Sequence, residues 1–164
     1  MRVLSFDQST RVTGYALFVD HKYQSSGIID LHKIEDTEER SRQMGIAICK
    51  QIECAKPDVI VIEEVQQQSN PDTLKKLARI QGIAIGFAAA HNIPLHILEP
   101  SKWRAALHYK QGRGVARKEL KQQSLDFVSK KFWLKLKEDE AEAVCIGEAA
   151  HRIFDWSFED DWGI

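Results

Sequence analysis

The chain has 164 residues, of which 43% are hydrophobic, and it carries a formal net charge of -1. This length and apolar content predict a single domain, residues 1–164, with a buried core. The sequence shows neither a membrane-spanning run nor a signal pattern, so we expect no membrane partner. The three cysteines have no metal-ligand spacing, which favours a reducing compartment, the cytoplasm.

Basic and acidic residues are segregated along the C-terminal third of the chain. Residues 102–137 carry a net charge of +9, whereas residues 138–164 carry -8. This segregation favours a surface that binds a polyanion beside an acidic site that binds a cation. The alternative is a solvated basic helix face with no nucleic-acid partner. The basic residues of the first segment are Lys102, Arg104, Lys110, Arg113, Arg117, Lys118, Lys121, Lys130, Lys131, Lys135 and Lys137.

The N-terminal part of the chain is predicted to be strand-rich. Short apolar runs separated by turns predict three strands, over 2–7, 12–19 and 24–31. Apolar residues at helical spacing then predict a helix over 37–55, with Thr37 as its N-cap.

Helices and strands alternate in the rest of the chain. A β-branched run predicts a buried strand over 59–62, and an Asn-Pro pair starts a helix that continues to about residue 91. A short strand follows over 94–98, then the segment 99–104, EPSKWR, and a basic, glycine-containing loop through Gly114. Two further helices are predicted over 115–130 and 139–154.

This order of elements predicts an α/β fold, namely a mixed five-stranded sheet with helices on both faces. Right-handed crossovers would make the first and fourth strands parallel neighbours. Asp7 and Glu63 would then lie at the same edge of the sheet, where the carboxyl ends of central strands gather ligands.

Acidic residues recur at three positions that this fold can bring together. Asp7 and Glu63 end strands, while Asp139 and Glu142 share one face of the last helix because they are three residues apart. Hard cations prefer carboxylate oxygens, and two Mg²⁺ ions serve phosphodiester hydrolysis. The four residues therefore predict a two-metal site in which Asp7 bridges both ions. Each carboxylate alone is equally compatible with a structural role at a strand end or helix start.

Three segments resemble the acidic motifs of the RuvC family of Holliday junction resolvases. Residues 3–17 contain a strand-end aspartate followed by T-G-Y, and residues 61–65, VIEEV, resemble the second motif of the family. Residues 139–143, DEAEA, resemble the closing D-x-x-D-A motif, with Glu142 where aspartate is usual. Residues 70–86 also follow the family, so the resemblance covers nearly the whole chain.

The resemblance implies an RNase H-like fold, dependence on Mg²⁺ with Mn²⁺ as a substitute, and a homodimer that nicks two strands of a four-way junction symmetrically. It is strongest to the bacteriophage-encoded branch, which implies the cytoplasm of a host cell. Gln8-Ser9 replace the proline-glycine of cellular members. Gln66 replaces an aromatic ring associated with opened bases, and glutamine stacks less well, so we expect activity on other branched DNA too.

Candidate DNA contacts come from the same resemblance and from the basic segment. By position, Arg104 and Lys118 match family residues that act near the scissile phosphate. The remaining candidates are Lys110, Arg113, Arg117, Lys121 and Gln66.

Other functions remain open at the level of the sequence. An RNase H-type nuclease acting on RNA–DNA hybrids and a non-catalytic nucleic-acid-binding relative share the expected fold. An actin-type ATP-binding fold is disfavoured, because the chain has one half and no phosphate loop. Trp103 is interpreted as a core anchor rather than a stacking platform, and Cys145 as a small hydrophobic residue. The tail, residues 154–164, is expected to dock on its own domain or, alternatively, to bind a partner.

Overall fold

The computed structural model describes residues 1–66, 70–154 and 156. Five strands and five helices make up this part of the chain. In chain order they are β1 (Arg2–Asp7), β2 (Val12–Val19), β3 (Lys22–Asp30), α1 (Thr37–Ala55), β4 (Val59–Glu63), α2 (Pro71–Ala90), β5 (Leu95–Leu98), α3 (Pro100–Ala106), α4 (Arg117–Phe132) and α5 (Glu138–Ile153).

The strands form one mixed sheet in the order β3-β2-β1-β4-β5. Strand β1 pairs antiparallel with β2 and parallel with β4, and β4 pairs parallel with β5. In the β1–β4 pair Phe6 lies opposite Ile62, so the next residues, Asp7 and Glu63, leave the sheet at the same level. The prediction of a mixed five-stranded sheet with the first strand beside the fourth is confirmed.

Helices cover both faces of the sheet because side chains alternate along the central strands. Leu4 and Phe6 of β1 pack into a core with α1 and α2. Val3, on the opposite face, packs into a second core with α5, which also contains the buried Cys145. None of the described helices has both the length and the hydropathy to span a membrane.

Helix α5 lies unusually close to the sheet, and glycine permits this contact. A Cβ atom on Gly14 of β2 would lie 1.9 Å from the carbonyl oxygen of Asp139, and one on Gly147 would lie 2.4 Å from the Phe18 ring. The Ser5 hydroxyl, in the buried space between them, donates to the Ala143 carbonyl over 2.7 Å. The first turn of α5 is therefore held directly against the sheet.

Several element boundaries differ from the sequence-based expectations. Asp36, not Thr37, is the N-cap of α1, because its carboxylate accepts a 2.6 Å hydrogen bond from the Glu39 N–H. Strand β3 begins two residues earlier than predicted. The segment 99–104, for which no element was predicted, contains most of α3, which Pro100 begins and the buried Trp103 anchors to the core.

At the C-terminus, Trp156 is buried in contact with the rings of His96, Phe154 and His151. Most of the tail predicted to dock on its own domain, namely 155 and 157–164, lies outside the described residues.

Candidate active site

Three of the four predicted carboxylates meet at the end of the sheet. Asp7 ends β1, and Asp139 and Glu142 belong to the first turns of α5, which Gly14 allows to approach. One carboxylate oxygen from each of the three lies within 4.8 Å of the others. The helical spacing and the parallel β1–β4 pair thus produce the convergence that the sequence predicts.

Glu63, the fourth carboxylate, ends β4 and lines the same cleft but is held by its own partner. Its Oε2 atom accepts a 2.6 Å hydrogen bond from Nε1 of Trp103, which is fully buried. Trp103 is therefore a core anchor, as expected, and it also fixes the orientation of a site residue. Forty residues separate the pair, and no sequence periodicity connects them.

The cluster is electrostatically costly in the absence of a cation. Burial raises the pKa of Asp7 well above its ordinary value, and the carboxylates of Glu142, Glu63 and Asp139 raise it further. Burial is also the main cause that raises the pKa of Glu142 to about 7, with Glu63 contributing. The pKa of Glu63 is raised by burial, although the Trp103 hydrogen bond and the Arg104 charge oppose the shift.

Two basic side chains lie within 4.0 Å of the cluster, and the charge of a third, Arg117, opposes the rise in the pKa of Glu63. Arg104 Nη2 lies 3.9 Å from Glu142 Oε1 and 4.0 Å from Glu63 Oε2. Lys121 Nζ lies 4.0 Å from Asp139 Oδ1, and a shorter 2.7 Å contact engages it with Glu138 Oε2. Lys121 therefore links Glu138 to the edge of the cluster at Asp139.

The cluster opens into a cleft of about 450 Å³. Three of the predicted DNA-binding residues line this cleft: Arg104, Arg117 and Gln66. Three others, Lys110, Arg113 and Lys118, are exposed and lie outside its lining. Lys121, one turn after Lys118 on α4, reaches the carboxylates instead. The full lining is Asp7, Gln8, Ser9, Thr10, Arg11, Glu63, Glu64, Val65, Gln66, Thr73, Leu77, Pro100, Arg104, Arg117, Leu120, Asp139 and Glu142.

Two glutamines that the sequence analysis did not assign to the site support the end of β4. The Gln8 side-chain amide donates to the Glu63 carbonyl and so ties the end of β1 to that of β4. Gln81 of α2, which is buried, donates to Glu64 Oε1 over 3.3 Å. Glu64 is therefore directed toward α2, while Glu63 is directed toward Trp103. Hydrogen-bonding partners of this kind leave no periodic signal in the sequence.

The donor set fits a hard divalent cation. It consists of carboxylate oxygens alone, and no hydrogen bond from the described residues reaches the Asp7 carboxylate. The four carboxylates outnumber the three basic side chains that act on them, Arg104, Arg117 and Lys121, and a cation would neutralise the excess of negative charge.

The sheet order and the strand-end acids together define an RNase H-like α/β class of protein. In sequence comparisons, the family model "Crossover junction endodeoxyribonuclease RuvC" matches residues 3–147. The chain therefore belongs to the RuvC family.

Individual relatives support this assignment. RuvC of Methylococcus capsulatus is 31% identical over 121 residues, which cover 71% of this chain and 70% of that protein. RuvC of Hydrogenovibrio crunogenus is 28% identical over 122 residues, which cover 72% and 69%. Among solved structures, "T. thermophilus RuvC in complex with Holliday junction substrate" superimposes with a TM-score of 0.73 over 93% of each chain, at 15% identity. That similarity confirms the fold.

Proposed function

We propose that this chain is a metal-dependent endodeoxyribonuclease that resolves Holliday junctions, and cuts other branched DNA, by paired symmetric nicks. The observation that carries the proposal is the convergence of Asp7, Asp139 and Glu142, with Glu63 beside them, in one open cleft. The family supports the substrate, since curated relatives are named crossover junction endodeoxyribonucleases and one solved relative is described with a Holliday junction.

The carboxylates of Asp7, Glu63, Asp139 and Glu142 would hold the metal, which we propose to be Mg²⁺, with Mn²⁺ as a substitute. Bound there, a divalent cation supplies an activated water and stabilises the charge that develops on the phosphoryl oxygens. Asp7 would be the central ligand of this set, because one of its carboxylate oxygens lies within 4.8 Å of an oxygen of both Asp139 and Glu142.

The basic residues of the cleft are suited to binding the phosphate. The Arg104 guanidinium lies between Glu63 and Glu142 and lines the cleft, where its forked donors match a phosphodiester. Arg117 and Gln66 line the outer part of the same cleft. We assign the exposed Lys110, Arg113 and Lys118 to more distant DNA contacts, and Lys121 to the carboxylates.

A panel of labelled substrates tests this function. A four-way junction, a fork, a linear duplex and an RNA–DNA hybrid are incubated with the protein in Mg²⁺, Mn²⁺ or EDTA. Metal-dependent, symmetric nicks in two opposing strands of the junction are expected. Cleavage of the hybrid alone would make the chain an RNase H-type enzyme, and tight junction binding without cleavage in either metal would make it a binding protein.

We further propose that two copies form the active unit, because paired nicks in opposing strands need two sites. Helix α2 has an exposed face of small and apolar residues suited to close helix packing. A Cβ atom on Gly82 or Gly86 would have no neighbour within 4 Å, so this face has room for a partner. Its exposed members are Ala78, Gly82, Ile85, Gly86 and Ala89.

The oligomeric state is measured by light scattering after size exclusion. Gly82→Glu should give a folded monomer, since a glutamate would place a charge in the interface while favouring the helix. Ser129→Glu, at an exposed position of α4, is the matched control and should stay dimeric. A dimer in both variants would exclude the α2 face, and a monomeric wild type would exclude the dimer.

We also propose that the chain is a single nuclease domain from the bacteriophage-encoded branch, acting in the cytoplasm of a host cell. The departures from cellular members at Gln8-Ser9, Gln66 and Glu142 support this branch. Location of the coding sequence among phage structural genes would support the assignment. Location beside the genes of a cellular recombination system would contradict it.

A further inference from the structure

The segment between α4 and α5, residues 133–137 (WLKLK), has an alternating pattern of exposure. Leu134 and Leu136 are half-buried and pack against the core beneath α5. Trp133, Lys135 and Lys137 are exposed and form what we call the Trp133 stripe. After the left-handed Trp133, this alternation is typical of an extended segment, and the backbone of Lys137 is extended (φ -75°, ψ 161°).

Trp133 is the most exposed large hydrophobic side chain in the described part of the chain. It is 89% exposed, whereas the next most exposed of these, Ile97 and Ile153, are at 40%. The residue caps the C-terminus of α4 in a left-handed conformation (φ 59°), and its N–H donates to the Ser129 carbonyl over 3.2 Å. The indole is therefore exposed to solvent. It contributes little to the stability of the fold there, but it is accessible to a ligand.

The two lysines of the stripe have no ion-pair partner within 4.0 Å among the described residues. Neighbouring lysines differ in this respect: Lys131 is paired with Glu148, and Lys121 with Glu138. The stripe therefore combines an exposed aromatic ring with two positive charges that make no close ion pair. Aromatic rings interleaved with basic side chains are typical of surfaces that bind the nucleic-acid backbone.

The stripe leads toward the candidate active site. At its start, the Phe132 ring lies 5.4 Å from that of Tyr23, near the beginning of the edge strand β3. At its end, Lys137 is the N-cap of α5, two residues before Asp139, and acts electrostatically on Asp30 at the end of β3. The stripe thus follows one side of the molecule toward the catalytic end of the sheet, outside the cleft lining.

We propose that the Trp133 stripe binds the sugar–phosphate backbone of a DNA arm as it leaves the active-site cleft. Lys135 and Lys137 contact phosphates, and the Trp133 ring packs on a deoxyribose of the same strand. Lys135 and Lys137 are two residues apart, about 6.6 Å in an extended segment, so both can contact the backbone of one strand. This inference rests on the proposed function and adds an arm-binding surface that the cleft does not supply.

The test compares two four-way junctions that differ only in arm length, one with arms too short to extend beyond the cleft. Trp133→Ala should weaken binding of the long-armed junction about fivefold, the lower end of aromatic–nucleotide stacking effects. Lys135→Gln with Lys137→Gln should lower the slope of log affinity against log salt by about two units. Lys50→Gln with Lys56→Gln, both exposed at the C-terminal end of α1, is the charge-matched control and should change neither quantity.

The inference requires the short-armed junction to bind wild type and stripe variants equally. It also requires an unchanged single-turnover rate at saturating enzyme, because the stripe lies outside the cleft. Unchanged binding of the long-armed junction, or an equal loss with both arm lengths, would overturn it while the wild type still cleaves. Binding to anionic lipid vesicles that Trp133→Ala abolishes, with DNA affinity unchanged, would instead assign the stripe to a lipid surface. A wild type that neither binds nor cuts junctions would overturn the proposed function itself.

Discussion

At the scale of single residues, Trp103 and Glu63 carry the detail that most shapes the site. The indole N–H donates a hydrogen bond to Glu63 Oε2, which leaves the other carboxylate oxygen available to a metal. Partners of this kind orient ligands, and their loss reduces metal affinity about 10–100-fold in other proteins. Trp103 is thus a positioning residue that acts through Glu63.

Replacing Trp103 with phenylalanine tests this role, because it removes the N–H and keeps an aromatic ring in the core. The metal concentration for half-maximal cleavage should rise about tenfold, since Glu63 loses its orienting donor. A titration of cleavage rate against Mg²⁺ measures it. Trp156→Phe is the matched control: Trp156 is also buried, but its Nε1 has no hydrogen-bond partner in the described chain. Equal metal requirements in the two variants would contradict the positioning role.

At the scale of elements, α5 determines the site because its first turn brings Asp139 and Glu142 to the sheet. Gly14 permits this contact, since a Cβ there would lie 1.9 Å from a backbone oxygen that cannot move independently of the helix. Gly14→Ala should therefore shift α5 away from β1 and open the acidic cluster.

Two measurements report on that shift. Gly14→Ala should lower the melting temperature and abolish its rise with Mg²⁺. Ser129→Ala is the control, because Ser129 is exposed on α4, away from both the cluster and the α2 face, and alanine favours a helix. A Gly14→Ala protein with wild-type stability and metal response would show that α5 does not depend on this close contact.

The elements also show what the sequence can and cannot predict. The positions of β1 and β4 could be predicted because each is an apolar run that ends in an acidic residue. The expected parallel pairing of these strands then placed Asp7 beside Glu63. Helical spacing located Asp139 and Glu142 on one face. The rotation of α4 was not predictable, so the sequence did not show that Lys121 lies 4.0 Å from Asp139, while the role of Lys118 near the phosphate stays a prediction. Tertiary packing decides such orientations, and no local pattern encodes them.

At the scale of the whole molecule, the acidic cluster should make stability depend on pH and metal. In the metal-free protein, the pKa of Glu142 is raised from 4.5 to about 7. Between these values the folded state binds more protons than the unfolded state, so stability falls as pH rises through this window. The loss of stability that Glu142 causes is complete above pH 7 and absent below pH 4.5.

Thermal melting in EDTA measures this dependence. The wild-type melting temperature should fall from pH 5 to pH 7.5, by about 2–4 °C for each kcal/mol lost in a domain of this size. Glu142→Gln should flatten the dependence, and millimolar Mg²⁺ at pH 7.5 should restore the wild type by mass action. A wild-type profile as flat as that of Glu142→Gln would contradict a clustered site.

The most direct test of the whole account is single-turnover cleavage of a labelled four-way junction in Mg²⁺ by the wild type and Asp7→Asn, with junction affinity measured in parallel. Asparagine keeps the size of the side chain and removes the charge at the centre of the cluster. We predict paired nicks by the wild type, and loss of cleavage by Asp7→Asn with junction affinity retained. Cleavage by Asp7→Asn at the wild-type rate would show that the carboxylate cluster is not the active site.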